Sequence, residues 1–139
     1  MINRLQNHID SADGLAQQII GLAMKVHSAL GCGFLESVYV NALVIELREA
    51  GIRFEQEKRY AIAYKGVEIG NFHADLVVEG RLIIEFKAVE ALAVAHSVQL
   101  VNYLASSKIE TGLLLNFGPK RLEFKTKTLN YKTPPSSSI

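Results

Sequence analysis

The sequence predicts an α/β domain built on a mixed central sheet flanked by helices, and three observations carry that prediction. Segments of helical and of strand periodicity alternate in the order α-α-β-β-β-α-β-β. Very short turns join the first three strands, which makes them an antiparallel meander. A helix then leads to a uniformly apolar strand, and a helix is long enough to carry the chain across to a parallel neighbour. The 139 residues suit a single domain.

The elements follow in order. From about Leu15 to Leu30, the residues Ile19, Ile20, Ala23, Val26, His27 and Leu30 recur at helical spacing, with Ser11 or Asp13 as the N-terminal cap. Gly31-Cys32-Gly33 breaks that helix. A second helix spans about Leu35 to Ala50 and stops at Gly51. Strands follow at about Phe54–Tyr64, Val67–Val78 and Leu82–Lys87, with turns at Lys65-Gly66 and around Glu79-Gly80. A third helix covers about Leu92 to Ser106. The apolar strand Gly112–Phe117 comes next, and its run Leu113-Leu114-Leu115 predicts burial on both faces. A short strand at Leu122–Thr126 closes the domain. Residues 1–132 are expected to form that domain, and the tail from Thr133 to Ile139 is expected to be disordered.

Composition narrows the function. Hydrophobic residues make up 49% and charged residues 21%, enough for a core. Fifteen basic against 14 acidic side chains leave a formal charge of +1, which excludes a polybasic protein held by bulk charge. A single cysteine, Cys32, excludes an internal disulfide framework and a cysteine-rich zinc site, and it is expected to pack. The longest run without a charged residue, Ala91 to Ser107, carries His96, Gln99 and Asn102, so no membrane span is expected. The first residues hold no apolar signal core. A reducing, cytoplasmic setting is the expectation.

Chemistry concentrates in the hairpin from Phe72 to Lys87. Side chains alternate along a strand, so Phe72, Ala74, Leu76 and Val78 are expected on one face with Leu82, Ile84 and Phe86. Sharing that face requires Val78 to pair with Leu82 and Leu76 with Ile84. The same register sets Asp75 opposite Glu85 and His73 opposite Lys87. Opposed like charges destabilise a plain sheet, and a divalent cation is the natural compensation. Mg²⁺ prefers such carboxylate oxygens. Glu36 shares a stripe with Tyr39, Val40, Leu43 and Leu47, which predicts a core-facing carboxylate. Gln99 and Tyr103 stand four residues apart on the third helix, with His96 one turn earlier.

Each residue also has a plainer reading. Glu-x-Lys alone describes an ordinary strand edge. An acid such as Glu36 is favoured in any first helical turn. His27 reads as a hydrogen-bonded core histidine, and an exposed strand position explains His73. Gln99 and Tyr103 alone fit a helix surface. These readings must all hold together to replace the metal site.

Asp75 followed by Glu85-Phe86-Lys87, in the order αβββαβ, resembles the PD-(D/E)XK nuclease superfamily with its restriction-endonuclease-like fold; here the core gains an extra N-terminal helix and a C-terminal strand. Ala74 stands where the superfamily's nominal proline precedes the aspartate. Glu36 resembles the acid of its first core helix, and Gln99 to Tyr103 resembles the Q-x-x-x-Y motif of its RecB-like branches. Gly33 to Tyr39 is similar to the signature of the small GxxExxY proteins. The surrounding Tyr64-Lys65-Gly66, Ala74-Asp75-Leu76 and Gly112 to Gly118 agree, so the likeness spans about Leu15 to Phe124.

The resemblance implies a Mg²⁺- or Mn²⁺-dependent nuclease acting on DNA rather than RNA. Asp75, Glu85 and the Phe86 backbone carbonyl would hold the ion, with Glu36 as a further ligand, direct or through water. Lys87 would orient or deprotonate the attacking water. Gln99 and Tyr103 would position the substrate, and a second copy of the chain would help span a duplex. The basic residues Lys120, Arg121, Lys125, Lys127 and Lys132 read first as a solvated edge and second as a phosphate grip. The competing function is a catalytically silent nuclease-like fold that binds nucleic acid or protein. Hydrolysis of another phosphate ester is a third.

Overall fold

The structure, a computed structural model, describes residues 11–129. The expected tail at 133–139 and Lys132 lie outside the described residues. Helices α1 (Ala12–Leu30) and α2 (Glu36–Glu49) precede strands β1 (Phe54–Tyr64), β2 (Val67–Val78) and β3 (Leu82–Lys87). Helix α3 (Val94–Ser107) then leads to β4 (Thr111–Asn116) and β5 (Glu123–Thr128). The Ser11 hydroxyl caps α1 by accepting from the Gly14 N–H at 2.9 Å. Gly31, at φ 73°, ends α1 and donates its N–H to the His27 carbonyl.

The strands lie in chain order, β1-β2-β3-β4-β5. β3 and β4 are parallel and the other neighbours antiparallel, so α3 is the crossover that the sequence requires. Both meander turns have two consecutive residues at positive φ, Lys65-Gly66 and Glu79-Gly80. That geometry matches the right-handed twist of paired strands.

α1 and α2 cover one face of the sheet, packing Leu15, Ile19, Leu43 and Leu47 against Leu76, Ile84 and Leu115. α3 covers the other face, with Leu100 and Leu104 against Val77, Ile83 and Leu114. Leu113 and Leu115 point into the first layer and Leu114 into the second, so β4 is buried on both sides as expected. His27 is a buried core histidine, its Nε2 2.9 Å from the Pro119 carbonyl oxygen. Cys32 corrects the sequence reading: it is exposed, because the glycines around it form a surface loop with no layer above it.

The apolar row of the hairpin is also corrected. Leu76↔Ile84 and Val78↔Leu82 pair as the pattern requires. Phe72 and Ala74, however, join the α3 layer instead of following Leu76 and Val78. The β2–β3 ladder ends at Leu76, and Glu57, at φ 51°, stands opposite Asp75 on β1. Freed from β3 on one side and kinked on the other, β2 turns its outer half toward α3. Phe72 is held there by parallel stacking on Tyr103, with ring centroids 3.9 Å apart.

The segment after Lys87 is anchored by Asn116, which is fully buried. Its Oδ1 accepts from the Val89 and Gly118 N–H groups, and its Nδ2 donates to the Val89 carbonyl and to Glu123. A side chain at Gly118 would collide with the Val89 backbone. Gly118→Ala should therefore cost about 2 kcal/mol in urea denaturation, within the usual range for overpacking. Gly21, with open space around its Cα, is the contrast: Gly21→Ala should stabilise by up to about 1 kcal/mol, the helix-propensity difference. Equal effects at the two glycines would refute the close packing of Gly118 on the Val89 backbone.

Candidate metal centre

The site starts where β2 and β3 part. Beyond Leu76↔Ile84 the strands exchange no ladder pair, which corrects the expected backbone pairing of Asp75 with Glu85. The two residues meet by another route. The Asp75 N–H donates to Glu85 Oε2 at 2.9 Å, and the Phe86 N–H donates to Asp75 Oδ2 at 2.8 Å. Each carboxylate thus satisfies a backbone donor of the opposite strand, which would otherwise be orphaned at the opening. Oδ1 of Asp75 and Oε1 of Glu85 are left for a ligand.

This arrangement brings two acids together in a poorly hydrated place. Glu85 is buried, and burial, reinforced by the Asp75 charge, pushes its carboxyl up to about 8; the Asp75 N–H and Lys87 act the other way. Burial likewise raises Asp75, opposed by the Phe86 N–H and Lys87 and aided by the charges of Glu57 and Glu36. The Tyr103 hydroxyl is raised chiefly by burial, and then by the charges of Glu85 and Asp75. Asp75, Glu85, Lys87, Glu36 and Tyr103 therefore form one electrostatic neighbourhood.

Other expectations fare differently. Glu36 is exposed, not core-facing, because it is the first residue of α2 and the stripe behind it becomes buried only from Tyr39 onward. Gln99 is exposed one turn before Tyr103. His73 is exposed and pairs across the sheet with Arg59, away from the expected position opposite Lys87, because the β2–β3 ladder has ended. His96 takes a structural position, its Nδ1 accepting from the Ala93 N–H at the start of α3. Glu57, which the sequence reading passed over, adds its charge to both Asp75 and Glu85.

The donor set suits a hard divalent ion. Two carboxylates face one another with their ionisation suppressed, and each has an oxygen to offer. Among the described residues, no three His, Cys, Asp or Glu side chains stand close enough to form a complete protein-only cage. A hard ion that keeps several waters does not need one.

The family model of the PD-(D/E)XK nuclease superfamily matches residues 13–128. The chain belongs to that superfamily. Its αβββαβ core, with β5 as a fifth strand on the mixed sheet, is a restriction-endonuclease-like fold, and nucleases of the superfamily generally use divalent metals. Among solved structures, the crystal structure of SSO0001 is similar in fold, with a TM-score of 0.52 at 20% identity. The likeness covers 69% of this chain and 52% of that one, so the chain matches about half the length of SSO0001. None of the curated proteins matches the chain. Among the described residues, no helix is long and apolar enough to cross a membrane.

A pH dependence follows. Glu85 titrates near 8 in the fold against an ordinary 4.5. Between those values the folded chain holds the extra proton, so its stability falls as pH rises. The loss begins above the unfolded value and is complete above the folded one. Thermal melts of the metal-free protein in chelator should show Tm dropping across that window, and Glu85→Gln should flatten the drop. A parallel decline in the Gln variant would contradict the assignment to Glu85.

Proposed function

We propose that the chain is a divalent-metal-dependent nuclease that hydrolyses phosphodiester bonds, with DNA as substrate and Mg²⁺ or Mn²⁺ as its ion. The carrying observation is the reciprocal Asp75–Glu85 arrangement, with Lys87 two residues on along β3. Uncharged amide side chains would satisfy the same two backbone donors, so a silent scaffold does not need two mutually repelling acids where β2 and β3 open. Membership of the GxxExxY group belongs to this reading, supported by Gly33, Glu36 and Tyr39 at the signature's spacing.

Asp75, Glu85 and the Phe86 carbonyl would hold the ion, and Glu36 would complete its shell directly or through water. When bound, the ion supplies an activated water and neutralises charge on the phosphoryl oxygens. Lys87 holds a positive charge beside the acids, from where it orients the attacking water and offsets the charge that develops on the phosphate. Tyr103, rigid on its Phe72 stack, presents a protonated hydroxyl next to the carboxylates and donates it to a phosphate oxygen. Gln99 offers an uncharged hydrogen-bonding group one turn away. The reading places the protein in the cytoplasm, with a second copy to span a duplex.

Calorimetry and cleavage assays test these roles together. Asp75→Ala should weaken Mn²⁺ binding more than tenfold, an ion–ligand loss of the size expected for a charged partner. Lys87→Ala should lower turnover by about 100-fold or more while Mn²⁺ binding persists. Mn²⁺ affinity unchanged by Asp75→Ala would remove the site. Intact Mn²⁺ binding with no cleavage of single- or double-stranded DNA or RNA would leave a binding module.

A further inference from the structure

The loop between α1 and α2 presents Glu36, and it is held in an unusual way. Cys32, Gly33, Phe34 and Leu35 are all exposed, and Leu35 provides no side-chain cap for α2. The loop is clasped from below by Tyr39, the last residue of the Gly33–Glu36–Tyr39 spacing. Its hydroxyl donates to the Gly31 carbonyl at 2.7 Å and accepts from the Phe34 N–H at 3.2 Å. One oxygen thus ties both ends of the turn that delivers Glu36. Gly33, at φ 111°, supplies a backbone conformation that other residues rarely adopt.

The Tyr39 ring is itself fixed. It is fully buried and stacks on Phe117 with centroids 4.4 Å apart, and Phe117 lies parallel to Phe86 at 5.9 Å. Phe86 gives its N–H to Asp75, and the Phe117 N–H donates to the Lys87 carbonyl. A column of three rings therefore connects the Glu36 loop to the strand segment that carries Glu85 and Lys87.

We propose that Tyr39 is a positioning residue for Glu36: its hydroxyl sets the loop so that the Glu36 carboxylate is held toward Asp75, ready to share the ion. This rests on the metal-dependent reading above and adds a role that a buried tyrosine does not otherwise need. A single carbonyl would satisfy a buried hydroxyl. The second bond, to the residue two before Glu36, acts on the loop.

Tyr39→Phe removes both bonds and keeps the ring column, so the two contributions separate. Mn²⁺ affinity measured by calorimetry for the wild type, Tyr39→Phe, Glu36→Gln and the double variant forms a complete cycle. Tyr39→Phe should weaken Mn²⁺ about three- to tenfold, the worth of an ordinary hydrogen bond. In the double variant the hydroxyl should add nothing to the loss caused by Glu36→Gln. Amide exchange at Phe34 should quicken in Tyr39→Phe. If Tyr39→Phe folds poorly, Gly33→Ala, which strains the loop and leaves the rings intact, should give the same non-additive pattern with Glu36→Gln.

Losses that multiply in the double variant, or an unchanged affinity in Tyr39→Phe while Asp75→Ala is impaired, would overturn the positioning role alone. A wild type that binds no Mn²⁺ would overturn the metal reading and this inference with it.

Discussion

The reciprocal hydrogen bonds between Asp75, Glu85 and the opposite backbones are the constraint on which the site depends. Two strands that part must leave main-chain donors without ladder partners. Here the Asp75 and Phe86 N–H groups are claimed by carboxylates, so the opening is stable without closing. The same bonds bury charge beside charge, and the result is visible in Glu85, whose carboxyl is driven up to about 8. Structure and electrostatic frustration have a common origin at this point. A group that must ionise to be useful has been placed where ionisation is costly unless a cation is near.

The layers on the two sides of the sheet serve that opening through aromatic rings. On the α1–α2 side, Tyr39, Phe117 and Phe86 stack behind the acids. On the α3 side, Tyr60, Phe72 and Tyr103 form a second stack, with Phe72 between its neighbours. Rings in contact have few alternative rotamers, so each stack transmits the position of a core residue to a group at the site. The Asn116 network fixes the remaining boundary, because it holds Val89 and so limits where the chain leaves Lys87. A parallel pair such as β3–β4 leaves a crevice at its carboxyl ends, and Lys87 and Asn116 occupy those ends.

Much of this was legible in the residues. The strong periodicities of Ile19 to Leu30 and of Leu113 to Leu115, together with the short turns, determine the element order and the parallel crossover. The apolar pattern also determined the Leu76–Ile84 register. It could not reveal that the ladder stops there, because side-chain hydrogen bonds that replace a backbone pair leave no trace in hydropathy. Plain alternation therefore sets Phe72 and Ala74 in the α1–α2 layer, whereas the end of the ladder and the kink at Glu57 turn them toward α3. Glu57 was hidden by a different mechanism. Counting along β1 from the Tyr64↔Val67 pair puts Gln56 opposite Asp75; an irregularity between Ile62 and Ala63 shifts the register by one and brings Glu57 there instead. The extra residue of that bulge is Ile69 on β2, beside Gly70, and a glycine inside a strand is the one local signal that announces such a shift.

Charge decides what such a site can receive. Glu36, Glu57, Asp75 and Glu85 share a neighbourhood with Lys87. Fully ionised, that group is strongly negative and repels a phosphodiester. The chain's formal charge of +1 offers no long-range attraction to offset this. Protonation of Glu85 lessens the repulsion but removes the carboxylate that a hard ion needs. On the nuclease reading these demands have one common solution: with a divalent cation held by the acids, Glu85 would be ionised and most of the local negative charge offset, so that the substrate would approach a loaded site more readily than an empty one. Lys125 and Lys127 lie on β5, and β4 separates β5 from the acid-bearing β3. On that reading metal occupancy and substrate affinity would rise together, and acids, not a basic cleft, are what such a centre would need.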